Sequence, residues 1–266
     1  MNSSRIRILF VSLLTVFAVG AIASASASAA SCDGKEGRPL CKWEVCKEVA
    51  GEGKEPPAKF DEHKCNTQKK ELKLRKWQWK MLEGAEEFPT TSKGGVFKLE
   101  VAGKVITCTA VTDEGNIKAG GKDLATKIVF TGCKAGPNGC MVRSPGSPFG
   151  TIEVTNIKTQ LEEVPAGSGK LVNKFEQKEF PIGSGKFEFV TLEFEGATCA
   201  GEGFVKTKVK GDVAAECKNL ANGNVELNFP KPAIAQPLKL EAFGVAATLT
   251  GATEEELTNK WAHRCI

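Results

Sequence analysis

The stretch Phe204–Cys217, FVKTKVKGDVAAEC, decides the fold class of this chain. From Val205 onward, its odd-numbered positions carry Val, Thr, Gly, Ala and Cys. Its even-numbered positions carry Lys, Asp and Glu, with Ala214 as the one exception. Side chains of a strand alternate between two faces, so this pattern predicts a strand with one buried and one solvated face. A helix would scatter the same apolar residues around its surface.

Most of the chain after residue 95 repeats this alternation in short runs separated by turn residues. Val96–Val101 and Val105–Val111 flank Ala102-Gly103-Lys104, and two Gly-Ser-Gly-Lys turns occupy 167–170 and 183–186. This spacing is typical of antiparallel strands joined in a meander. We therefore expect an all-β domain over residues 89–266, with a β-barrel slightly favoured over a two-sheet sandwich.

Two places depart from the simple alternation. Ile152 and Val154 have even parity, whereas Ile157 and Leu161 have odd parity, which predicts a bulge or bend at Asn156. Near the C-terminus, Glu254-Glu255-Glu256 is compatible with the start of a helical turn.

The first thirty residues predict export. Arg5 and Arg7 accompany a mostly apolar run from Ile6 to Ile22, and small Ser and Ala residues continue to Ala30. This is the composition of a cleaved secretory signal peptide, with a retained membrane anchor as the alternative. We expect a secreted, extracellular or cell-envelope-associated protein without a membrane span after cleavage.

The charge balance indicates which partners to expect. Loss of residues 1–30 leaves 34 basic and 32 acidic residues, a net charge of +2, with no clustered basic face. This predicts no nucleic-acid partner. The Gly-Ser-Gly-Lys turns lack the remaining residues of a phosphate-binding loop, so we also expect no cofactor. A cell-surface polymer or a protein partner stays open.

All ten cysteines follow the predicted signal peptide. An even number in an exported chain predicts five disulfides rather than a metal site, especially since Cys-x-x-Cys is absent. The turn-rich loop between Cys133 and Cys140 predicts a local bond between them, and Cys46 with Cys65 is a second candidate in a Cys-rich segment, 31–88. Lipidation of Cys32 is an alternative. The cysteines are Cys32, Cys41, Cys46, Cys65, Cys108, Cys133, Cys140, Cys199, Cys217 and Cys265.

The sequence contains no catalytic constellation. His63 and His263 are its two histidines, and a Gly-x-Ser-x-Gly motif is absent. Trp77 and Trp79 have equal parity, which favours a buried strand face but is also compatible with ligand stacking. Six strand glutamates could supply the two acids of a glycosidase, although ordinary cross-strand pairs with Lys are favoured. They are Glu153, Glu162, Glu163, Glu188, Glu193 and Glu195.

Several cysteine-centred strand motifs carry a family resemblance. They are KVITCTA (104–110), VFTGC (129–133) followed by Cys140 and SPG (144–146), GTIEV (150–154), FEGATCAG (194–201) and LKLEAFG with ATLTG (238–251). Over roughly residues 43–255 the chain resembles a group of uncharacterised secreted proteins of actinobacterial genomes, often present as many paralogues. The resemblance implies export and an all-β fold, with no activity attached. Cys217 and Cys265 stand outside the pattern, which suggests that they pair with each other.

These observations support three hypotheses about function. The leading one is a non-enzymatic secreted or envelope-associated β protein that acts by surface contact or ligand binding. The first alternative is a secreted hydrolase that uses two carboxylates. The second is a lipocalin-like carrier, which predicts a closed barrel with an apolar, unfilled interior.

Overall fold

The computed structural model describes residues 30–31, 41–49, 60, 62–66, 76–164, 168, 170–177, 188–196, 199–229 and 240–266. These residues form strands and turns, with a short 3-10 turn at Ala119–Gly121. The strands are β1 (Ala30–Ser31), β2 (Trp43–Glu48), β3 (Trp77–Met81), β4 (Glu87–Gly94), β5 (Phe97–Val101), β6 (Lys104–Cys108), β7 (Ala110–Lys118), β8 (Lys122–Thr131), β9 (Lys134–Ala135), β10 (Cys140–Arg143), β11 (Thr151–Glu163), β12 (Leu171–Gln177), β13 (Glu188–Glu195), β14 (Thr207–Lys210), β15 (Val213–Asn219), β16 (Val225–Phe229), β17 (Glu241–Ala242), β18 (Val245–Leu257) and β19 (His263–Cys265).

Eight strands close into an antiparallel barrel. Their order is β4, β7, β8, β11, β12, β15, β16 and β18, and β18 pairs again with β4. The predicted all-β antiparallel fold is confirmed, and the barrel is the correct one of its two predicted forms. Glu254-Glu255-Glu256 belongs to β18, so the helical turn considered for these residues is wrong.

A second closed circuit of strands shares β18 with the barrel. It runs from β18 through β5, β6, β9, β10, β13, β14 and β17 back to β18. Residues 247–250 of β18 pair with β5, whereas residues 251–257 pair with strands of the barrel. The chain passes between the two circuits at short bends, such as Thr109 between β6 and β7.

The stretch Phe204–Cys217 contains two strands, so the prediction of one continuous strand is wrong. β14 belongs to the second circuit and β15 to the barrel. Gly211 lies between them with a φ of 100°, a conformation that residues with a side chain rarely adopt. The odd-numbered positions face the interior on both sides of Gly211, since Val209 and Ala215 are both buried.

The run Val105–Val111, predicted as one strand, is likewise divided between β6 and β7 at Thr109. Other local strand signals agree with the predictions. β5 and β6 form a hairpin across Ala102 and Gly103, which both have positive φ. Asn156 has a φ of 60°, and the buried parity changes there from Val154 to Ile157 as predicted. The paired strands β11 and β12 flank the first Gly-Ser-Gly-Lys sequence, of which the structure describes Ser168 and Lys170. The second such sequence, 183–186, lies outside the described residues.

Four disulfide bonds join described cysteines: Cys46–Cys65, Cys108–Cys133, Cys140–Cys199 and Cys217–Cys265. Cys41 is disulfide-bonded as well, and Cys32 lies outside the described residues. The predicted Cys46–Cys65 and Cys217–Cys265 bonds are confirmed. The predicted Cys133–Cys140 bond is wrong, because β9 and β10 pair with Cys140 opposite Ala135 instead of Cys133.

A three-stranded sheet of β19, β2 and β3 packs against one end of the barrel. Trp43 and Val45 of β2 are fully buried in the same apolar cluster as the barrel interior. The Cys217–Cys265 bond joins β15 of the barrel to β19. The amide of Asn219 adds a hydrogen bond of 2.9 Å to the carbonyl of Cys265. This sheet therefore combines strands from the Cys-rich segment and from the C-terminus.

Candidate functional site

An apolar cavity lies where the barrel meets the second circuit. Its volume is about 120 Å³. Ile152 and Phe175 line it from the barrel, while Ile106 and Leu192 line it from the second circuit. The alternation of each strand turns these apolar side chains inward, so both circuits contribute to one continuous apolar wall.

Asp113 and Thr253 are the two polar side chains among the described residues that line the cavity. Ser92 is directly opposite Asp113 on one side and Glu255 on the other, so β7, β4 and β18 present these three side chains in one row. The Ser92 hydroxyl donates a 3.0 Å hydrogen bond to Oδ2 of Asp113. The cavity is therefore apolar with an acid on its wall.

A second inward-facing acid, Asp123, lies on β8. Its Oδ2 accepts hydrogen bonds from the Thr159 hydroxyl at 3.0 Å and from the Asn173 amide at 3.4 Å. Its Oδ1 is buried without a hydrogen-bond partner in the part of the chain that the structure describes. Burying a carboxyl oxygen without a hydrogen-bond partner costs much free energy when the group is ionised and far less when the group is protonated.

Burial controls the protonation of these acids. Burial, together with the charge of Glu255, raises the pKa of Asp123 to about 8, and burial raises the pKa of Glu255 to about 7. For Asp113, burial and then the charges of Glu255 and Asp123 raise the pKa well above its ordinary value. These acids face one another without a positively charged partner among the described residues, and burial favours their uncharged forms.

His263 of β19 connects the three-stranded sheet to this interior. Its Nε2 lies 3.0 Å from Oε1 of Glu255, and both side chains are buried. Burial lowers the pKa of His263 to about 3, so its imidazole is neutral at physiological pH. This neutral imidazole therefore brings no positive charge to Glu255 and to the other described acids of the interior.

Within the described ranges, no group of three or more His, Cys, Asp or Glu side chains is placed to hold a metal ion. The same residues contain no helix with the length and apolar character needed to cross a membrane.

The structure places the tryptophans singled out from the sequence away from the cavity. Trp77 and Trp79 are partly buried and pack on a satellite cluster that includes the Cys46–Cys65 bond. Trp77 makes an edge contact with Trp261 at 5.4 Å, and the Arg264 guanidinium lies 4.4 Å from the Trp79 ring centroid. These contacts give both rings a packing role, and their role in ligand stacking stays a prediction.

None of the six strand glutamates considered for a glycosidase lines the cavity. Salt bridges join Glu153 to Lys127, Glu188 to Lys208, and Glu193 to both Arg143 and Lys206. In β11, Glu163 and Glu162 are buried, and burial raises the pKa of Glu162. In β13, Glu195 is opposite Met141 of β10. Three of these four salt bridges pair Glu with Lys, as the sequence favours.

The sequence reasoning missed Asp113, Asp123 and Glu255. One signal was present: each acid occupies the parity of buried neighbours, as Asp113 does with Val111 and Asp123 with Ala125. A charged residue on the apolar parity of a strand marks a buried polar group.

Comparisons of the chain with family models, with curated proteins and with solved structures find no match. The function is therefore argued from the cavity and the acids next to it.

Proposed function

We propose that this protein is a secreted, non-enzymatic binding protein that holds a compact apolar molecule in the cavity between its two circuits. The observation that supports this most strongly is the apolar space of about 120 Å³ inside a closed β structure. An engineered apolar cavity of about 150 Å³ stays dry and binds benzene. The sites of drug-sized ligands are larger, at about 300–1,000 Å³. The volume of the cavity thus favours a ligand about as large as a single aromatic ring.

The lining favours binding over carboxylate-dependent hydrolysis. A glycosidase needs two acids on either side of the scissile bond, and its polar substrate needs hydrogen-bonding partners. Asp113 is the one acid among the described residues that line the cavity. The apolar remainder of the lining offers a sugar few such partners. A small apolar molecule loses nothing in this environment and gains from leaving water.

Export is part of the proposal. The four described disulfides close loops with sequence separations of 19 to 59 residues. Such bonds persist in oxidising compartments and are rare in the cytosol. Together with the N-terminal signal-like sequence, they support a protein that works outside the cytoplasm.

The test is the binding of toluene to the oxidised protein, followed by calorimetry and by thermal melting. At a toluene concentration of about 100 times Kd, the folded state should gain about 2.7 kcal/mol. In a protein of this size, that gain corresponds to a rise in Tm of roughly 5–10 °C. Naphthalene should bind more weakly, because its second ring exceeds the cavity.

Val209→Phe provides the decisive variant, because Val209 is buried and lines the cavity. The added ring should occupy the space and abolish the toluene response. Val205→Phe is the matched control, since Val205 is 57% exposed and does not line the cavity. Val190→Phe, opposite Val209 in the sheet, repeats the test if the first variant folds poorly. Absence of toluene binding to the wild type, or undiminished binding to a folded cavity-filling variant, contradicts the proposal.

A further inference from the structure

We propose that the preferred ligand carries a protonated amine, which Asp113 binds while the apolar part of the molecule fills the cavity. This inference rests on the proposed binding function and adds the chemical class of the ligand. It follows from the placement of Asp113, from the charges that face it and from the size of the apolar space.

Asp113 has unused hydrogen-bonding capacity at the cavity wall. Its Oδ2 accepts one hydrogen bond from Ser92 at 3.0 Å, and Asp113 itself lines the cavity. An ionised carboxylate offers about four acceptor positions on its two oxygens. A donor inside the cavity can therefore bind Asp113 without displacing the hydroxyl of Ser92.

The charged groups that face Asp113 are all acidic. They are Glu255 on β18, Asp123 on β8 and the neighbouring Glu114 on β7. The nearest histidine, His263, hydrogen-bonds to Glu255 and is held neutral by burial. The acids around Asp113 can therefore become negatively charged, and no positively charged side chain faces them in the described structure. An organic cation favours the ionised form of Asp113 and pairs with it, whereas an anion finds no positive partner there.

Binding of an ammonium group also moves a proton. Without ligand, burial and the neighbouring acids raise the pKa of Asp113 well above its ordinary value, which favours the protonated carboxyl. When the ammonium binds, the Asp113 carboxyl releases its proton to solvent, and the resulting carboxylate accepts hydrogen bonds from the ligand's N–H groups. Affinity should therefore increase with pH until Asp113 is ionised in the free protein. A neutral carbonyl ligand needs the protonated carboxyl as donor and should show the opposite dependence.

The experiment compares benzylamine, toluene and benzoate, three single-ring probes that differ chiefly in the charge of the substituent. Isothermal titration at pH 7 should give benzylamine an affinity at least tenfold higher than that of toluene, because one charge-assisted hydrogen bond is worth about that factor. Benzoate should not bind measurably. Titration of benzylamine in two buffers of different ionisation enthalpy should show the release of up to one proton.

Asp113→Asn separates this inference from the binding function. The variant should lose the preference for benzylamine over toluene, and circular dichroism with a cooperative thermal transition shows separately that it is folded. Ser92→Ala is a second variant. It removes the hydrogen bond that lowers the pKa of Asp113, so the pH profile of benzylamine binding should move to higher pH.

Each outcome decides between the two claims. Toluene binding without a preference for benzylamine overturns the amine inference and leaves the proposed function standing. Benzylamine affinity that falls as pH rises, or that is unchanged in Asp113→Asn, also overturns the inference. Failure of both toluene and benzylamine to bind overturns both claims.

Discussion

Asp123→Asn offers a sharp test of the buried polar interior. Burial raises the pKa of Asp123 from 3.8 to about 8, so the folded protein keeps this proton over a range in which the unfolded chain loses it. The folded state is therefore destabilised by up to about 1.4 kcal/mol per pH unit as pH rises through that range. Asparagine has no proton to lose. The unfolding free energy of Asp123→Asn relative to that of the wild type should therefore increase by about 3 kcal/mol from pH 5 to pH 8.

Thermal melting of the oxidised protein at these two pH values measures the effect. The difference in Tm between Asp123→Asn and wild type should increase by roughly 6–12 °C. Glu153→Gln is the control, because Glu153 forms an exposed salt bridge with Lys127, and its effect should stay small at both pH values. Parallel pH profiles for wild type and Asp123→Asn would refute the reasoning, since they would mean that Asp123 ionises alike in the folded and unfolded states.

Three further predictions concern a disulfide bond, the packing of a glycine and the cleavage of the N-terminal leader. Replacing Cys140 and Cys199 together by Ser removes a bond with a sequence separation of 59 and should lower the unfolding free energy by about 4 kcal/mol in denaturant titrations; no loss would contradict the pairing. Gly251→Ala would place a Cβ atom 2.6 Å from the ring of Phe97, at a backbone φ of 150°. A Cβ atom at Gly95 would have no atom within 4 Å. Thermal melting should therefore show a large decrease in Tm for Gly251→Ala and a small one for Gly95→Ala. N-terminal sequencing of the exported product should begin within one residue of Ser31, and an intact leader would contradict cleavage.

The strands could be predicted well because their signals are local. In β5 and β16, the alternation of buried and more exposed side chains is visible from neighbouring residues alone. The turn at Ala102 and Gly103 and the parity change at Asn156 are likewise encoded within a few positions. Period-two patterning therefore identified the fold class without knowledge of which strands are neighbours.

The two circuits could not be predicted because they depend on distant pairings. The pattern of Phe204–Cys217 continues through Gly211, although β14 and β15 lie in different circuits. The Cys108–Cys133 bond likewise depends on which strand ends lie side by side, and the short loop from Cys133 to Cys140 gave a misleading local alternative. Loop length favours local cysteine pairs, whereas sheet register decides the actual ones.

The acids near the cavity could be predicted only in part. Asp113 and Asp123 share the parity of the buried residues Val111 and Ala125, so their burial was accessible from the pattern. Glu255 was hidden in a run of three glutamates whose helical interpretation is wrong. That these three acids interact depends on the closure of the barrel, which joins β18 to β4.

The central claim, that the cavity is a ligand site, is tested most directly by NMR of the toluene complex. Intermolecular NOEs should connect the toluene ring to the methyl groups of Ile106, Ile152 and Leu192, which line the cavity from both circuits. NOEs confined to the exposed methyl groups of Val96 or Val205, or no intermolecular NOEs at saturating toluene, would contradict it.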